Sequence, residues 1–201
     1  MPAPPELAPD GRPMIQPGSA EAWRRWLADN HATSGPIWLV YRKRTAGGRD
    51  LTYDEAVEEA LCFGWIDSTI KPLDEERYRQ FYSRRKPTST WSKLNKERVE
   101  RLIAESRMTD AGMAPIDAAK ANGMWTALDS VEALEVPPDL EEALEAFGAR
   151  GNFDDFSASS KKNILWWIAS AKKAETRARR VAETARMAAD GRRANHPEDR
   201  T

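Results

Sequence analysis

Cysteine and histidine are scarce in this chain of 201 residues, which has one cysteine, Cys62, and two histidines, His31 and His196. One cysteine excludes an intrachain disulfide and is typical of a reducing compartment. A standard structural zinc site takes four Cys or His ligands, so the sequence predicts no metal site. Cys62 lies near the end of a predicted helix, where the helix dipole disfavours a thiolate, and it is interpreted as a buried inert thiol rather than a nucleophile.

Long apolar runs, a leader and a nucleotide-binding loop are also missing. No stretch approaches the ~20 apolar residues that span a bilayer, and segment 1–6 lacks the basic start and apolar run of a signal peptide. The pair Gly47-Gly48 lacks the strand and helix context of a phosphate-binding loop. We therefore expect a cytoplasmic protein without a cofactor and without a transmembrane segment, and the sequence indicates no catalytic residue.

The charges nearly cancel overall, with 31 Lys and Arg against 32 Asp and Glu. Along the chain, however, they are unevenly distributed. Segment 71–107 has 11 basic and 6 acidic residues, segment 128–155 has 1 and 9, and segment 161–193 has 10 and 3. The favoured explanation is that oppositely charged segments pack together and solvate their outer faces. The alternative is a basic surface that binds an anionic partner.

Apolar patterns predict a small sheet in the first half of the chain. Segment 37–41 is short, β-branched and aromatic, which is typical of a strand. Segments 65–70 and 78–82 alternate as the two strands of a hairpin, and 14–16 is a further short strand. The pairing is expected to be mostly antiparallel.

Helix signals flank these strands and dominate the second half. Ser19, Thr52, and either Ser92 or Thr90 are predicted to cap three helices of the first half, and Thr52 begins a capping box. The inward face of the third helix is predicted to carry Val99, Leu102 and Ile103. From Thr109 onward the strand signals nearly stop. The helix that begins at Pro137-Pro138 is predicted to bury Leu140, Ala143, Leu144 and Phe147.

The predicted fold class is therefore α+β: an N-terminal α+β domain with a small, mostly antiparallel sheet, followed by an all-helical C-terminal region. The predicted boundaries are a mobile tail at 1–13, an α+β domain at 14–108, a helical connector at 109–136, a helical domain at 137–192 and a tail at 193–201.

Several motifs, in one order along the chain, resemble a known family. They are LTYDEA at 51–56, CFGWIDS at 62–68, the pair Arg84-Arg85, WSKLN at 91–95 and SAKKAETRARR at 170–180. Together they resemble the bacterial YdeI/OmpD-associated family over roughly 19–193, with Ser68 where glycine is expected. The resemblance implies a link to protection against bacteriocins and cationic antimicrobial peptides, and to an outer-membrane porin in some bacteria. It implies no enzymatic activity and no cofactor.

Aromatic and charged residues are interleaved between 62 and 95 and suggest a ligand pocket. Its candidate members are Trp65, Asp67, Tyr82, Arg84 and Trp91, since alternate residues of a strand share a face. Asp67 and Arg84 would be the polar anchors of a small polar or anionic ligand. The alternative is a structural Asp–Arg pair beneath a Trp-rich core.

A second candidate is an anion-binding strip formed by Arg85, Lys93, Lys96 and Arg98. Together with neighbouring aromatic side chains it would form a surface for single-stranded nucleic acid. Acidic residues such as Glu97 dilute the strip, so a solvated loop and helix face is the favoured explanation. Nucleic acid is accordingly a disfavoured partner.

Three functional hypotheses follow. The leading one is a non-enzymatic binding or stress-protection protein of the YdeI/OmpD-associated type, whose partner is a small ligand or another protein. The second is a nucleic-acid-binding protein that uses the basic strip within 84–101. The third is an enzyme in which Asp67 acts as a general base.

Overall fold

The computed structural model of the protein describes residues 6–43 and 51–196. The Gly47-Gly48 pair and the outer ends of both predicted tails lie outside the described residues. The chain divides into two compact units, Met1–Thr126 and Ala127–Thr201. Residues of the predicted connector 109–136 are thereby divided between the two units.

The first unit contains both strands and helices. In chain order they are β1 (Met14–Ile15), α1 (Ala20–Asn30), β2 (Ile37–Arg42), α2 (Tyr53–Cys62), β3 (Trp65–Pro72), β4 (Arg77–Arg84), α3 (Lys93–Ala104) and α4 (Asp110–Ala121). The sheet has the order β1-β2-β4-β3, in which β1 is parallel to β2 and the other pairs are antiparallel. The predicted α+β class and the small, mostly antiparallel sheet are confirmed.

The two faces of this sheet are covered differently. On the inner face, Ile37, Leu39 and Tyr41 of β2 pack with Trp23 and Leu27 of α1 in the main core of the unit. This division follows from the period of two in a strand, which sends successive side chains to opposite faces.

The outer face of the sheet is partly covered by the chain that precedes β1. Ala8 packs with Trp38 and Val40 in a small buried cluster, and the indole N–H of Trp38 donates to Asp10 Oδ2 at 2.9 Å. Residues 6–13, which their composition assigns to a mobile tail, are therefore held against the sheet. Composition missed this because a few specific contacts, such as the hydrogen bond from the Trp38 backbone N–H to the carbonyl oxygen of Pro13 at 2.9 Å, are enough to anchor so short a segment.

Helix starts follow the predicted caps. Ser19 and Ser92 each accept a hydrogen bond from the backbone N–H three residues later, at 3.2 and 3.4 Å. Thr52 forms the complete capping box with Glu55. These side chains satisfy N–H groups that have no partner within a helix.

Helix α3 departs from its predicted inward face at one position. Val99 and Leu102 are buried as predicted, but Ile103 is 42% exposed. The buried face instead includes Arg98, which forms an ion pair with Asp54 of α2. An arginine can be buried at this position because its charge has an acidic partner.

Helix α4 lies against the end of α2, backbone to backbone. Its cap residue, Thr109, donates its hydroxyl to the carbonyl oxygen of Cys62 at 2.6 Å. A Cβ atom on Gly112 would lie 2.8 Å from the carbonyl oxygen of Leu61, and closer still to that of Cys62. Gly64, in the turn after α2, has φ +74°, in the left-handed region that favours glycine. Two glycines thus permit the close approach of α4 to this turn.

The second unit, in its described part, consists of helices. They are α5 (Asp129–Glu132), α6 (Pro138–Ala146), α7 (Arg150–Asp154), α8 (Ala158–Ala169) and α9 (Ala174–Ala189). Leu140 and Leu144 are buried as predicted, whereas Phe147 is 50% exposed, because it is the C-cap residue at which the chain leaves helical geometry. Ala194, within the predicted tail 193–201, is buried in the core of this unit.

Ion pairs join helices of opposite charge in the second unit. Arg177 of α9 donates two hydrogen bonds to Asp139 of α6, at 2.7 and 2.8 Å, and Lys162 of α8 pairs with Glu132 at 2.5 Å. These pairs join the basic segment 161–193 to the acidic segment 128–155. The favoured explanation of the charge pattern, in which opposite segments pack together, accounts for them.

The contact of α4 with α2 generates the first prediction. Gly112→Ala should lower the free energy of unfolding by about 1–3 kcal/mol, because the added methyl group meets two backbone oxygens that cannot move independently. Urea denaturation followed by circular dichroism measures the change. Gly35→Ala is the matched control, since an added Cβ there has nothing within 4 Å. Equal stability of the two variants would contradict the close packing.

Candidate functional site

The strand register places four of the five candidate pocket residues on the inner face of the sheet. In the antiparallel pair β3–β4, Trp65 lies opposite Arg84 and Asp67 lies opposite Tyr82. Directly opposed residues of an antiparallel pair point to the same face, and so do residues two apart in one strand. The shared face inferred from alternation is therefore present.

The three aromatic members of the candidate pocket belong to the core. Trp65, Tyr82 and Trp91 are fully buried, and the indole N–H of Trp65 donates to the carbonyl oxygen of His31 at 3.1 Å. The hydroxyls of Tyr82 and Tyr41 are hydrogen-bonded to each other at 2.8 Å, and burial raises the pKa of both tyrosines far above the usual range. These side chains shape and support the site rather than line an open pocket.

Asp67 is half-buried and has polar partners. Its Oδ2 accepts hydrogen bonds from the hydroxyl of Tyr53 at 3.2 Å and from the Gln80 amide Nε2 at 2.5 Å. Burial raises the pKa of Asp67, although the hydrogen bond from Tyr53 and the charges of Arg98 and Arg85 act in the opposite direction. The carboxyl group therefore binds a proton more readily than an exposed aspartate.

Gln80 is the most buried polar group beside Asp67. The residue is 1% exposed, and its carbonyl oxygen Oε1 has no hydrogen-bond partner in the described part of the chain. A buried polar atom without a partner is rare in proteins and calls for an explanation. Together, Gln80 and Asp67 form a polar centre in an otherwise aromatic region.

Arg85 lies over the indole ring of Trp91. Its guanidinium carbon is 3.6 Å from the ring centroid, and its Nη1 donates to the carbonyl oxygen of Thr90 at 3.1 Å. Its buried Nε has no partner among the described residues. Burial lowers the pKa of Arg85 to about 10, and the charge of Asp67 opposes that change. Arg85 therefore keeps its positive charge at neutral pH.

Arg98 supplies the second guanidinium near Asp67. It is 8% exposed, it forms an ion pair with Asp54, and it receives additional support from Asn95 Oδ1 at 3.2 Å. Its guanidinium carbon also lies 5.9 Å from the ring centroid of Tyr53. We define the Asp67 site as Tyr53, Asp67, Gln80, Arg85 and Arg98.

Arg84 is not part of the Asp67 site, which corrects the expectation of two joint polar anchors. Its side chain is exposed, and its Nη1 donates to the carbonyl oxygen of Ala32 at 2.7 Å. Although Arg84 shares the inner face with Asp67, it lies opposite Trp65, at the end of the strand pair. Its observed partner is the carbonyl oxygen of Ala32, whereas the hydrogen bonds to the Asp67 carboxylate come from Tyr53 and Gln80.

The predicted anion-binding strip does not form a continuous surface. Arg98 is buried and Arg85 is half-buried over Trp91. Lys93 pairs with Glu97 at 3.9 Å, and the ammonium group of Lys96 lies 5.5 Å from the ring centroid of Trp125. Arg85 precedes α3 and Arg98 lies on its buried face, so the strip offers no continuous row of exposed cations to a phosphate backbone.

Two residues of the site were missed in the sequence. Tyr53 is the first residue of α2, directly after its cap, and nothing in that position indicates a contact with β3. Gln80 had a detectable signal, because it lies between Tyr78 and Tyr82 on the face that the hairpin pattern predicts to be buried. A polar residue at such a position is a candidate for a site.

Other features that could indicate a function are a thiol, a cluster of metal ligands and a membrane-spanning helix. Burial raises the pKa of the Cys62 thiol, which favours its inert form. Within the ranges 6–43 and 51–196, no group of three or more His, Cys, Asp or Glu residues is placed to hold a metal ion. No helix in these ranges is long and apolar enough to cross a membrane.

The fold and the site together define a protein in which an α+β unit that holds a half-buried carboxyl group is followed along the chain by a helical unit. Two family models match it. Residues 15–115 match the family described as "Domain of unknown function (DUF8412)", and residues 133–191 match the family described as "Bacteriocin-protection, YdeI or OmpD-Associated". A search of the curated proteins and a search of the solved structures each found no match.

The chain belongs to the DUF8412 family through residues 15–115, and residues 133–191 are similar to the YdeI/OmpD-associated family. The resemblance noted in the sequence is thereby confirmed for the C-terminal part, which contains the motif at 170–180. The motifs at 51–56, 62–68 and 91–95 lie in the part that the first family covers. The Asp67 site lies in that part as well.

The raised pKa of Asp67 generates the second prediction. Because the folded state binds this proton more tightly than the unfolded chain, the contribution of Asp67 to stability falls as the pH rises from 3.8, its ordinary value, through the folded pKa. The wild type should therefore lose stability relative to Asp67→Asn over that pH range. Urea denaturation of both proteins at several pH values measures the difference, and a difference independent of pH would contradict the raised pKa.

Tyr53→Phe tests whether the hydroxyl of Tyr53 lowers the pKa of Asp67 against the effect of burial. The lost hydroxyl stabilised the carboxylate, so the pKa of Asp67 should rise further in this variant, as measured by NMR titration of the Asp67 carboxyl carbon. Tyr78→Phe is the matched control, because Tyr78 stacks on Tyr41 at 5.0 Å and does not donate to Asp67. Equal titration of the two variants would show that the Tyr53 hydroxyl has no such role.

Proposed function

We propose that the chain is a non-enzymatic binding protein of the bacteriocin-protection type, acting in the cytoplasm, which holds a small polar ligand at the Asp67 site. The observation that carries the proposal is the pairing of half-buried Asp67 with Gln80, whose buried carbonyl oxygen has no partner among the described residues. The description of the family matched at 133–191 supports the protective role.

The energetic argument starts from the cost of this polar centre. Burying a polar group without a hydrogen bond costs free energy, and apolar side chains at positions 67 and 80 would avoid that cost. Binding sites typically combine apolar and aromatic surroundings with a few placed polar groups. Asp67 and Gln80, among the tyrosines of the inner face, match that description.

The charges around Asp67 indicate what the ligand carries. Asp67 accepts hydrogen bonds, so the ligand is expected to present N–H or O–H donors to it. Arg85 and Arg98 supply positive charge on the same site, which accommodates an electron-rich group of the ligand. A small molecule with both features fits better than a purely apolar one.

The third prediction tests binding. In a thermal-shift screen against metabolites, nucleotides and cationic peptides, a ligand at 100 times its Kd should stabilise the wild type by about 2.7 kcal/mol and raise Tm by several degrees. The shift should disappear in Asp67→Asn, which removes the negative charge of the site. It should persist in Arg84→Gln, the matched control outside the site. A screen in which every hit persists in Asp67→Asn, or one that gives no hit at all, would sink the proposed site.

The fourth prediction tests the protective role. Expression of the chain in a bacteriocin-sensitive bacterial strain should raise survival under bacteriocin or cationic-peptide challenge, and Asp67→Asn should return survival to the level of the empty vector. Colony counts after challenge measure the effect, with immunoblots to confirm equal amounts of both proteins. Equal survival with wild type and empty vector would remove the protective role, independently of the outcome of the binding screen.

A further inference from the structure

A cleft of about 410 Å³ lies in the N-terminal unit, and Arg85 is the one member of the Asp67 site among its described lining residues. One wall is the start and middle of α4, and the opposite side includes His31 and Phe63. Its volume falls within the range of small-molecule sites, about 300–1,000 Å³.

The wall from α4 is apolar and made of small side chains. Ala111, Ala114, Pro115 and Ala118 recur at helical spacing and face the cleft. Short side chains leave the space unfilled, because none of them reaches across it. The result is an apolar groove rather than a filled core.

The groove is held open by contacts on either side. Gly112 and Gly64 bring α4 against the end of α2, and a Cβ atom on Gly64 would lie 2.5 Å from the carbonyl oxygen of Ala111. At the other end of α4, the Asn122 amide donates to the carbonyl oxygen of Pro87 at 2.8 Å, which fixes the loop after β4. Backbone contacts of this kind resist collapse of the groove.

The charge of the cleft has one sign. Arg84 and Arg85 line it, and none of its lining residues in the described part of the chain is acidic. Arg84 is exposed and is oriented by its hydrogen bond to the carbonyl oxygen of Ala32 at 2.7 Å, and it forms no ion pair within the described ranges. The planar guanidinium group retains further N–H donors, which match the two oxygens of a carboxylate.

We propose that this cleft binds a small amphipathic carboxylate, with its aliphatic chain against the α4 wall and its carboxylate on Arg84. The apolar groove supplies the hydrophobic contact, and the uncompensated charge of Arg84 selects an anion at one end. A neutral apolar molecule contacts only the apolar groove, and a cation is repelled by the positive charge of Arg84.

The experiment compares straight-chain carboxylates with uncharged and cationic analogues by isothermal titration calorimetry. Affinity should rise by up to about fourfold per added CH₂ group from butanoate through hexanoate to octanoate. The matched alcohols and amines should bind at least about tenfold more weakly, because they lack the charge that Arg84 recognises. Alcohols that bind as tightly as the carboxylates, or carboxylates that do not bind, would overturn the proposal.

Variants locate the binding. Arg84→Gln should weaken octanoate binding by about tenfold, whereas Arg25→Gln, another exposed arginine of the same unit, should leave it unchanged. Ala114→Phe fills the groove and should abolish binding, with unchanged circular dichroism as the check on folding. Asp67→Asn should bind octanoate normally, which separates this site from the one proposed above. Unchanged affinity in Arg84→Gln would overturn the assignment.

Discussion

The antiparallel pairing of β3 with β4 decides which side chains of the N-terminal unit meet. It sets Asp67 opposite Tyr82 and Trp65 opposite Arg84, and an irregularity in the pairing follows between Asp67 and Ile70. Since the side chains of a strand alternate between faces, a slip of one residue would send Asp67 to the outer face and break its hydrogen bond with Gln80. The Asp67 site and the position of Arg84 at the mouth of the cleft both depend on this register.

Burying the polar centre of Asp67 and Gln80 on an otherwise apolar face costs free energy of folding, and the rest of the core avoids that cost. Ile37 and Leu39 on β2 show what the inner face contains where only packing matters. Asp67, Gln80 and Arg85 differ from them, because a polar or charged group loses its hydration on burial and needs hydrogen bonds in return. Partners are present for most of these atoms, but not for Gln80 Oε1 or Arg85 Nε among the described residues. Stability alone gives no reason to retain such atoms, whereas a ligand site does.

The two sites of the N-terminal unit have opposite chemistry. The Asp67 site is polar and centred on a half-buried side chain, and it combines one carboxyl group with two guanidinium groups. The cleft beside α4 is apolar and open, with positive charge at its mouth. Both lie in the part that the DUF8412 family covers, except that the cleft also reaches Ala118, and the family description linked to bacteriocin protection applies to 133–191. The sequence therefore assigns the protective description and the candidate ligand chemistry to different parts of one chain.

Local signals in the sequence determined the fold class, the helix caps at Ser19, Thr52 and Ser92, and the shared face of Trp65 and Asp67. Each of these depends on a few neighbouring residues, through hydrogen bonds to a helix start or the period of a strand. Tertiary structure alone decided that Tyr53 and Gln80 bind Asp67, that Arg84 turns to Ala32, and that residues 6–13 cover the outer face of the sheet. Such contacts join residues far apart in the chain, so they arise only when packing brings whole elements together, and no local pattern records which partner a buried polar group will find.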